Sequence, residues 1–383
     1  MRLLHTSDWH LGRSFHRENL LGAQAAFVDH LIETIRSERV DVVLVAGDLY
    51  DRALPPSDAV RLFGEALRRI RDTGARAVLI SGNHDSMARL GYATELIDAS
   101  GVHLRSSLSE VGDPVLIEDD HGPVAFYGIP YLEPEIVRHP WKLTERSHRA
   151  ALDHAMGLVR ADLAERPAGT RSVVLSHAFV SGGEASDSER DISVGGAAHV
   201  PAATFDGVDY AALGHLHGQQ RMGTTARYSG SPLAYSFSEE HQVKGYWIVD
   251  LDASGGVTAE FAEAPVPRSI ARISGRIDDL LSAPEWERYT GHWLQVTLTD
   301  PRRPAFPMDR LRERFPHTLH LDFAPEGGRE DDDGDWMRRV AGRDDPDLVL
   351  DFVDWARGAP TTDAEQDLVR SAFEDLRTRE AAR

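Results

Sequence analysis

An α/β fold is predicted for this 383-residue chain from three observations. Short aliphatic runs read as strands buried on both faces, chief among them the stretch from Val40 to Ala46, which ends abruptly in Gly47-Asp48. Such runs alternate with amphipathic helices at the start of the chain, and a β-α-β-α-β order implies right-handed crossovers and an at least partly parallel sheet. Near Ala264-Pro265-Val266-Pro267 the texture changes, and a small α+β module and two short helices follow. A chain of this length exceeds the usual single core, so two or three domains are expected.

The elements follow in order. Arg2 to Ser7 reads as a strand leading into Asp8-Trp9-His10-Leu11-Gly12. From about 20 to 37, Leu21, Ala25, Val28, Leu31, Ile32 and Ile35 recur at helical spacing. After the strand at 40–46, a helix from Ser57 to Asp72 places Val60, Phe63, Leu67 and Ile70 on one face, with Ser57 as its N-cap. Arg76 to Ser81 is a further buried strand ending in Gly82-Asn83-His84-Asp85. Strands are expected at 124–129, 172–175, 210–213 and 245–250, with a helix at about 145–165 and an exposed loop from Ser181 to His199. In the second module, strands at 268–277, 293–298 and 317–323 surround a short helix at 308–315. A Gly- and Asp-rich tract from Pro325 to Asp335 reads as a solvated loop. The tail holds one helix with Leu348, Phe352, Val353 and Ala356, stopping at Gly358. A second opens on the capping-box pattern Thr362-Asp363-Ala364-Glu365 and carries Leu368, Val369, Ala372 and Leu376. The expected division is 1–264, 265–324, an acidic linker 325–345, and a helical pair 346–383.

Composition narrows the function. No cysteine is present, so any metal must be held by oxygen and imidazole. No run is apolar enough to span a bilayer, and the first residues lack a signal peptide's apolar core, so a cytoplasmic location is expected. A formal net charge of -20 argues against nucleic-acid binding by bulk electrostatics alone. It leaves room for metal ions or a partner to reverse the sign locally.

Five stretches share one design, an apolar strand followed by metal-competent side chains: Asp8-Trp9-His10, Gly47-Asp48, Gly82-Asn83-His84-Asp85, Ser176-His177 and Gly214-His215-Leu216-His217. In open α/β sheets such strand ends collect ligands. Residues two apart in an extended chain point the same way, so Asp8 with His10, and His215 with His217, can each grip an ion from one side. The glycines before Asp48, Asn83 and His215 are expected to turn the backbone beneath the site. A lone Gly-Asp is more simply a turn, but five such clusters together predict a binuclear metal site suited to Mn, Fe or Zn.

In this order the motifs resemble the calcineurin-like metallophosphoesterases. More narrowly, Thr6-Ser7-Asp8-Trp9-His10-Leu11-Gly12, Gly47-Asp48-Leu49-Tyr50-Asp51, Gly214-His215-Leu216-His217 and Tyr228-Ser229-Gly230-Ser231-Pro232 resemble the bacterial SbcD exonucleases. The resemblance implies a metallophosphoesterase β-sandwich flanked by helices, with a small α+β capping domain and a C-terminal helical pair. It implies that Asp8, His10 and His217 hold one ion, that Asn83, His177 and His215 hold the other, and that Asp48 bridges both. His84 would face the substrate phosphate as a catalytic residue, to stabilise developing charge or to protonate the leaving 3'-oxygen. Asp85 would orient the site without touching an ion. Relatives with a histidine at the end of Gly-Asp-x-x-His differ here, where Asp51 stands.

The implied activity is Mn-dependent hydrolysis of DNA at duplex ends and hairpins within an ATP-dependent repair complex; Mg, Fe or Zn could replace Mn. No Gly-x-x-x-x-Gly-Lys-[Ser/Thr] occurs, so ATP hydrolysis needs a partner, which the resemblance implies is an SbcC-like ATPase bound by the C-terminal helices. Arg302 and Arg303 are candidate DNA-backbone contacts, and a homodimer is expected. The alternatives are a phosphatase or cyclic-nucleotide phosphodiesterase, for which the second module has no evident use, and a scaffold with structural ions, which normally leave no open coordination.

Overall fold

The computed structural model describes residues 1–92, 94–192, 199–326, 343–357 and 359–381. It divides into two compact units, Met1–Ala271 and Arg272–Arg383.

The first unit is a sandwich of two six-stranded sheets. Its strands are β1 (Arg2–Thr6), β2 (Val42–Ala46), β3 (Arg76–Ile80), β4 (Val102–Arg105), β5 (Val115–Asp119), β6 (Gly122–Ile129), β7 (Arg171–His177), β8 (Tyr210–Gly214), β9 (Gln220–Met222), β10 (Ala226–Tyr228), β11 (Gly245–Leu251) and β12 (Val257–Glu263). One sheet runs β12-β11-β1-β2-β3-β4 and the other β9-β10-β8-β7-β6-β5. In the first, β1 to β4 are parallel and β11 returns antiparallel against β1. In the second, β6, β7, β8 and β10 are parallel.

Because successive side chains face opposite ways, each central strand feeds two cores. Leu3, Val42, Leu44, Val78 and Ile80 meet Phe126, Val173, Leu175 and Tyr210 between the sheets. The opposite faces pack on helices. Leu4, Val43 and Leu79 lie under α1 (Leu21–Ser37) and α2 (Ser57–Asp72). Tyr127, Val174 and Ala211 lie under α3 (His148–Glu165), whose N-cap Ser147 accepts a hydrogen bond from the Ala150 N–H.

Helix α2 departs from expectation in two ways. Its N-cap is Pro56, in extended conformation, and Ser57 is already helical. Proline has φ fixed near the required value, and its carbonyl accepts from Ala59 and Val60, so the hydroxyl of Ser57 is not needed. The buried face is Ala59, Phe63, Ala66 and Ile70, while Val60 is 46% exposed. Two alanines let the helix sit close to the sheet, and the face rotates toward them.

The second unit holds a three-stranded sheet of β13 (Ile270–Gly275), β14 (Trp293–Leu298) and β15 (Thr318–Phe323), with α4 (Ile277–Ser282) and α5 (Pro307–Arg314). The tail is α6 (Asp345–Arg357) and α7 (Asp363–Ala381), tied by an Arg357–Glu365 ion pair. Glu365 accepts the Thr362 N–H at 2.7 Å, the reciprocal half of a capping box. Most of the tract at 325–345, and Gly358, lie outside the described residues.

Candidate metal centre

All five strand-end clusters converge at one pole of the sandwich. The first sheet sends Asp8 and His10 from the end of β1, Asp48 from β2 and Asn83, His84 and Asp85 from β3. The second sends His177 from β7 and His215 and His217 from β8. Ligand-type atoms of Asp8, His10 and His217 lie within 4.8 Å of one another, as do those of Asp8, Asp48 and His177. The Nε2 atoms of His10 and His217 face each other at 3.1 Å. Asn83 Oδ1 lies 2.8 Å from His177 Nε2 and 3.3 Å from His215 Nδ1. Asp48 Oδ2 stands 3.5 Å from Nε2 of both His10 and His177, between the two groups. His84 also approaches His10 and Asp48 within 4.8 Å.

The backbone is bent to achieve this. Asp8, His10, Asp48 and His215 have φ of 53°, 44°, 49° and 107°, in the left-handed region that side chains disfavour. Such residues cost about 1–3 kcal/mol each and persist where the surroundings force them. The glycines act differently from one another. Gly47 has φ of 91° and makes a true turn. Gly82 and Gly214 do not; a Cβ at Gly82 would strike Asp48, and one at Gly214 the Ala46 carbonyl of the opposite sheet. Two of the three glycines therefore provide space and not a bend.

Tautomers are set from outside the cluster. His177 Nδ1 donates to the Ala46 carbonyl at 2.9 Å, which leaves Nε2 for the site. His217 Nδ1 meets Ser188 Oγ at 2.5 Å and Glu239 Oε1 at 3.4 Å. Glu239 is buried and paired with the buried Lys244, whose ammonium also reaches the His217 carbonyl at 3.0 Å. Glu189 accepts the His217 N–H at 2.7 Å. Ser231, in the Tyr228–Pro232 motif, receives Lys244 at 2.9 Å, so that motif braces His217 from behind. The loop after β7 is thus part of the site; of its expected span, 193–198 lie outside the described residues.

Asp85 accepts N–H bonds from Leu49, Tyr50 and Gly82 at 2.9–3.0 Å, locking the Asp48 loop to the Asn83 loop. Burial, with the charge of Asp48, still pushes its pKa up to about 7. Burial raises Asp8 to about 6. Asp48 is held well below its ordinary value: burial opposes this, but His177, His10 and His84 outweigh it. His177 shows the converse; burial disfavours its charge, yet Asp48 and Asp8 raise it to about 9. His10 and His215 are driven well below 6.5 by burial.

The donor set fits a pair of divalent cations. Asn83 Oδ1 and the Nε2 of a neutral His177 are both acceptors, and their close approach needs either a second proton on His177 or a cation. Buried His10 Nδ1 and Asn83 Nδ2 have no hydrogen-bond partner among the described residues. Two carboxylates, one amide and four imidazoles without sulfur suit Mn, Fe or Zn.

Not every expected residue joins the cluster. Arg302 and Arg303 are exposed in the loop between β14 and α5 of the second unit, with Arg303 lying 5.7 Å from the Phe323 ring centre. Residues unread from sequence include Ser188, Glu189, Glu239 and Lys244. No described helix is long and apolar enough to cross a membrane.

Residues 1–219 match the family model described as calcineurin-like phosphoesterase. Residues 266–354 match the SbcD C-terminal model, described as the type 5 capsule protein repressor C-terminal domain. Among solved structures, the chain is similar to a dimetal phosphatase from Danio rerio, at 14% identity and TM-score 0.42 over 69% of this chain and 96% of that one. It is similar to TT1561 of Thermus thermophilus, at 12% identity and TM-score 0.40 over 68% and 98%. An archaeal phosphodiesterase matches at 13% identity and TM-score 0.31 over 68% and 100%. Likenesses of that size carry no argument about activity.

Proposed function

The chain belongs to the calcineurin-like phosphoesterases, and from that premise we propose that it is the nuclease subunit of an SbcCD-type, ATP-dependent DNA repair complex. Its substrate is DNA at duplex ends and hairpins, and its cofactor is a pair of Mn ions. The observation that carries the reading is Asp48 Oδ2, 3.5 Å from an imidazole of each group, where one carboxylate could serve both ions. Asp8, His10 and His217 would hold one ion, and Asn83, His177 and His215 the other.

When bound, such ions polarise a phosphodiester and make the attacking water acidic. The chain's own part is orientation and proton transfer. His84 is half-buried at the rim, and its Nδ1 donates to the Asp51 carbonyl at 2.7 Å. That bond fixes the ring and leaves Nε2 to protonate the leaving 3'-oxygen. Asp85 holds the two loops that carry Asp48 and His84. The C-terminal match supports assignment of residues 266–354 to the SbcD type and is consistent with an SbcC-like ATPase as partner. On this reading Arg302 and Arg303 contact the DNA backbone and the working form is a homodimer.

The deciding experiment compares purified chain with Mn on hairpin DNA and on a generic small phosphodiester, with metal analysis of two variants. Asp48→Asn should lose metal and activity together. His84→Gln should keep both ions and lose about 10²–10⁴-fold in turnover, the scale of one general acid. Loss of an ion in His84→Gln would make that residue a ligand and overturn the division of roles. A small diester preferred over DNA would favour the phosphodiesterase alternative.

A further inference from the structure

Beside His84 lies a cavity of about 460 Å³ into which three arginines converge from three separate loops. Arg13 follows β1, Arg52 follows β2, and Arg190 comes from the loop after β7. Two carboxylates line the same walls, Asp51 and Asp85. Asp85 is already taken up by three backbone N–H groups. Asp51 stands 3.7 Å from Arg13 Nη1 and 3.8 Å from His10 Nδ1, beyond hydrogen-bond reach of either. Three guanidiniums thus face two carboxylates, one of which, Asp51, forms a loose ion pair with Arg13.

The arginines are also incompletely used. Arg13 is held in place by Nη2, which donates to the Ser188 carbonyl at 3.1 Å, and by the Tyr235 ring, 4.8 Å beneath its guanidinium. Its Nη1 is buried and has no hydrogen-bond partner among the described residues. Burying such a donor without an acceptor is costly, so a fixed guanidinium with a spare buried N–H points to an acceptor that arrives with a ligand. Arg190 reaches the Asn83 carbonyl at 3.5 Å, which aims it at the loop carrying His84. Arg52 has no hydrogen bond or ion pair among the described residues. Planar guanidinium forks match phosphate oxygens, and Arg is favoured wherever that anion is gripped.

We infer that Arg13, Arg52 and Arg190 form a phosphate subsite that holds the backbone phosphate next to the scissile one on the substrate strand. The inference rests on the nuclease reading and deepens it. A small diester has one phosphate, which the metal cluster and His84 engage; a polynucleotide has a second to offer the arginines. The subsite thus selects strands over small phosphate esters, although the chain is acidic as a whole.

The test uses full-length chain loaded with Mn and two substrates, a hairpin DNA and bis(p-nitrophenyl) phosphate. In Arg52→Ala/Arg190→Ala the ratio of kcat/KM for DNA to that for the small diester should fall at least tenfold, mostly through KM. The salt dependence of log KM on DNA should become shallower by roughly one, the share of the single phosphate that the subsite holds. Equal proportional losses on both substrates would place the arginines on the scissile phosphate or in the fold, and overturn the subsite. An unchanged ratio would overturn it as well. Wild-type chain that cleaves the small diester and not DNA refutes the nuclease reading itself, an outcome separable from both because it precedes any mutation.

Discussion

On the proposed assignment, Asp48 and His177, 3.5 Å apart, hold either a proton or an ion between them. In the metal-free chain Asp48 and Asp8 raise His177 from 6.5 to about 9 against the cost of burial. A raised imidazole stabilises the fold fully below its unfolded value of 6.5, and that contribution is lost as pH rises through about 9. The same proton must leave before Nε2 can ligate. Mn affinity of the metal-free chain should therefore climb by about tenfold per pH unit from near 7 toward 9, with one proton released per chain. Calorimetric titration in buffers of different ionisation enthalpy measures this, and a pH-independent affinity would show that His177 does not ligate. His177 was legible from sequence because it ends a buried strand. Ser188, Glu189, Glu239 and Lys244 were not. They reach His217 from 22 to 29 positions away, through a polar loop and a buried ion pair, and no local periodicity marks such partners.

At the scale of elements, strands were easier to read than helix faces. A strand buried on both faces is a continuous aliphatic run, so β2 and β3 announced themselves to within a residue at their carboxyl ends, while β7, expected at 172–175, runs on to His177. On α2 the apolar pattern favoured Val60, but close packing against the sheet selected Ala59 and Ala66, and small residues carry little signal. Glycines were visible in sequence, while their reasons were not. Gly214 ends β8 where a Cβ would meet the opposite sheet's Ala46 carbonyl, whereas Gly157 lies within α3 with nothing near its missing Cβ. Gly157→Ala should stabilise the chain by about 0.5–1 kcal/mol, the helix penalty removed. Gly214→Ala should lower Tm and release metal, because His215 and the sheet junction must shift together. Thermal melts with and without Mn check both, and a neutral Gly214→Ala would show that the sheets yield there at no cost.

At the scale of the molecule, the chain divides after Ala271, past the change of texture near Pro265, and the tail's amphipathic helices were legible as period and caps. In the structure Phe352, Leu368 and Leu376 are 51%, 72% and 51% exposed, so both tail helices present apolar surface to solvent. Narrow apolar stripes on a helical pair gain most of their stability from a larger partner. Ending the chain before Pro346 should leave metal content and Mn-dependent cleavage intact while abolishing ATPase-partner binding and ATP-stimulated cleavage of duplex ends. Phe352→Glu with Leu368→Glu should reproduce that loss in a pull-down; a truncated chain that sheds its metals would show that the tail belongs to the enzyme's core. The distribution of ligands between the sheets has a different consequence. Asp8, His10, Asp48 and Asn83 belong to one sheet, and His177, His215 and His217 to the other, so on the proposed assignment each ion is a rivet through both. Neither half-built sandwich can capture it tightly. Metal acquisition then becomes a checkpoint on assembly, in which a nascent or misfolded chain stays unarmed and hydrolytic power is switched on only once the whole sandwich has closed.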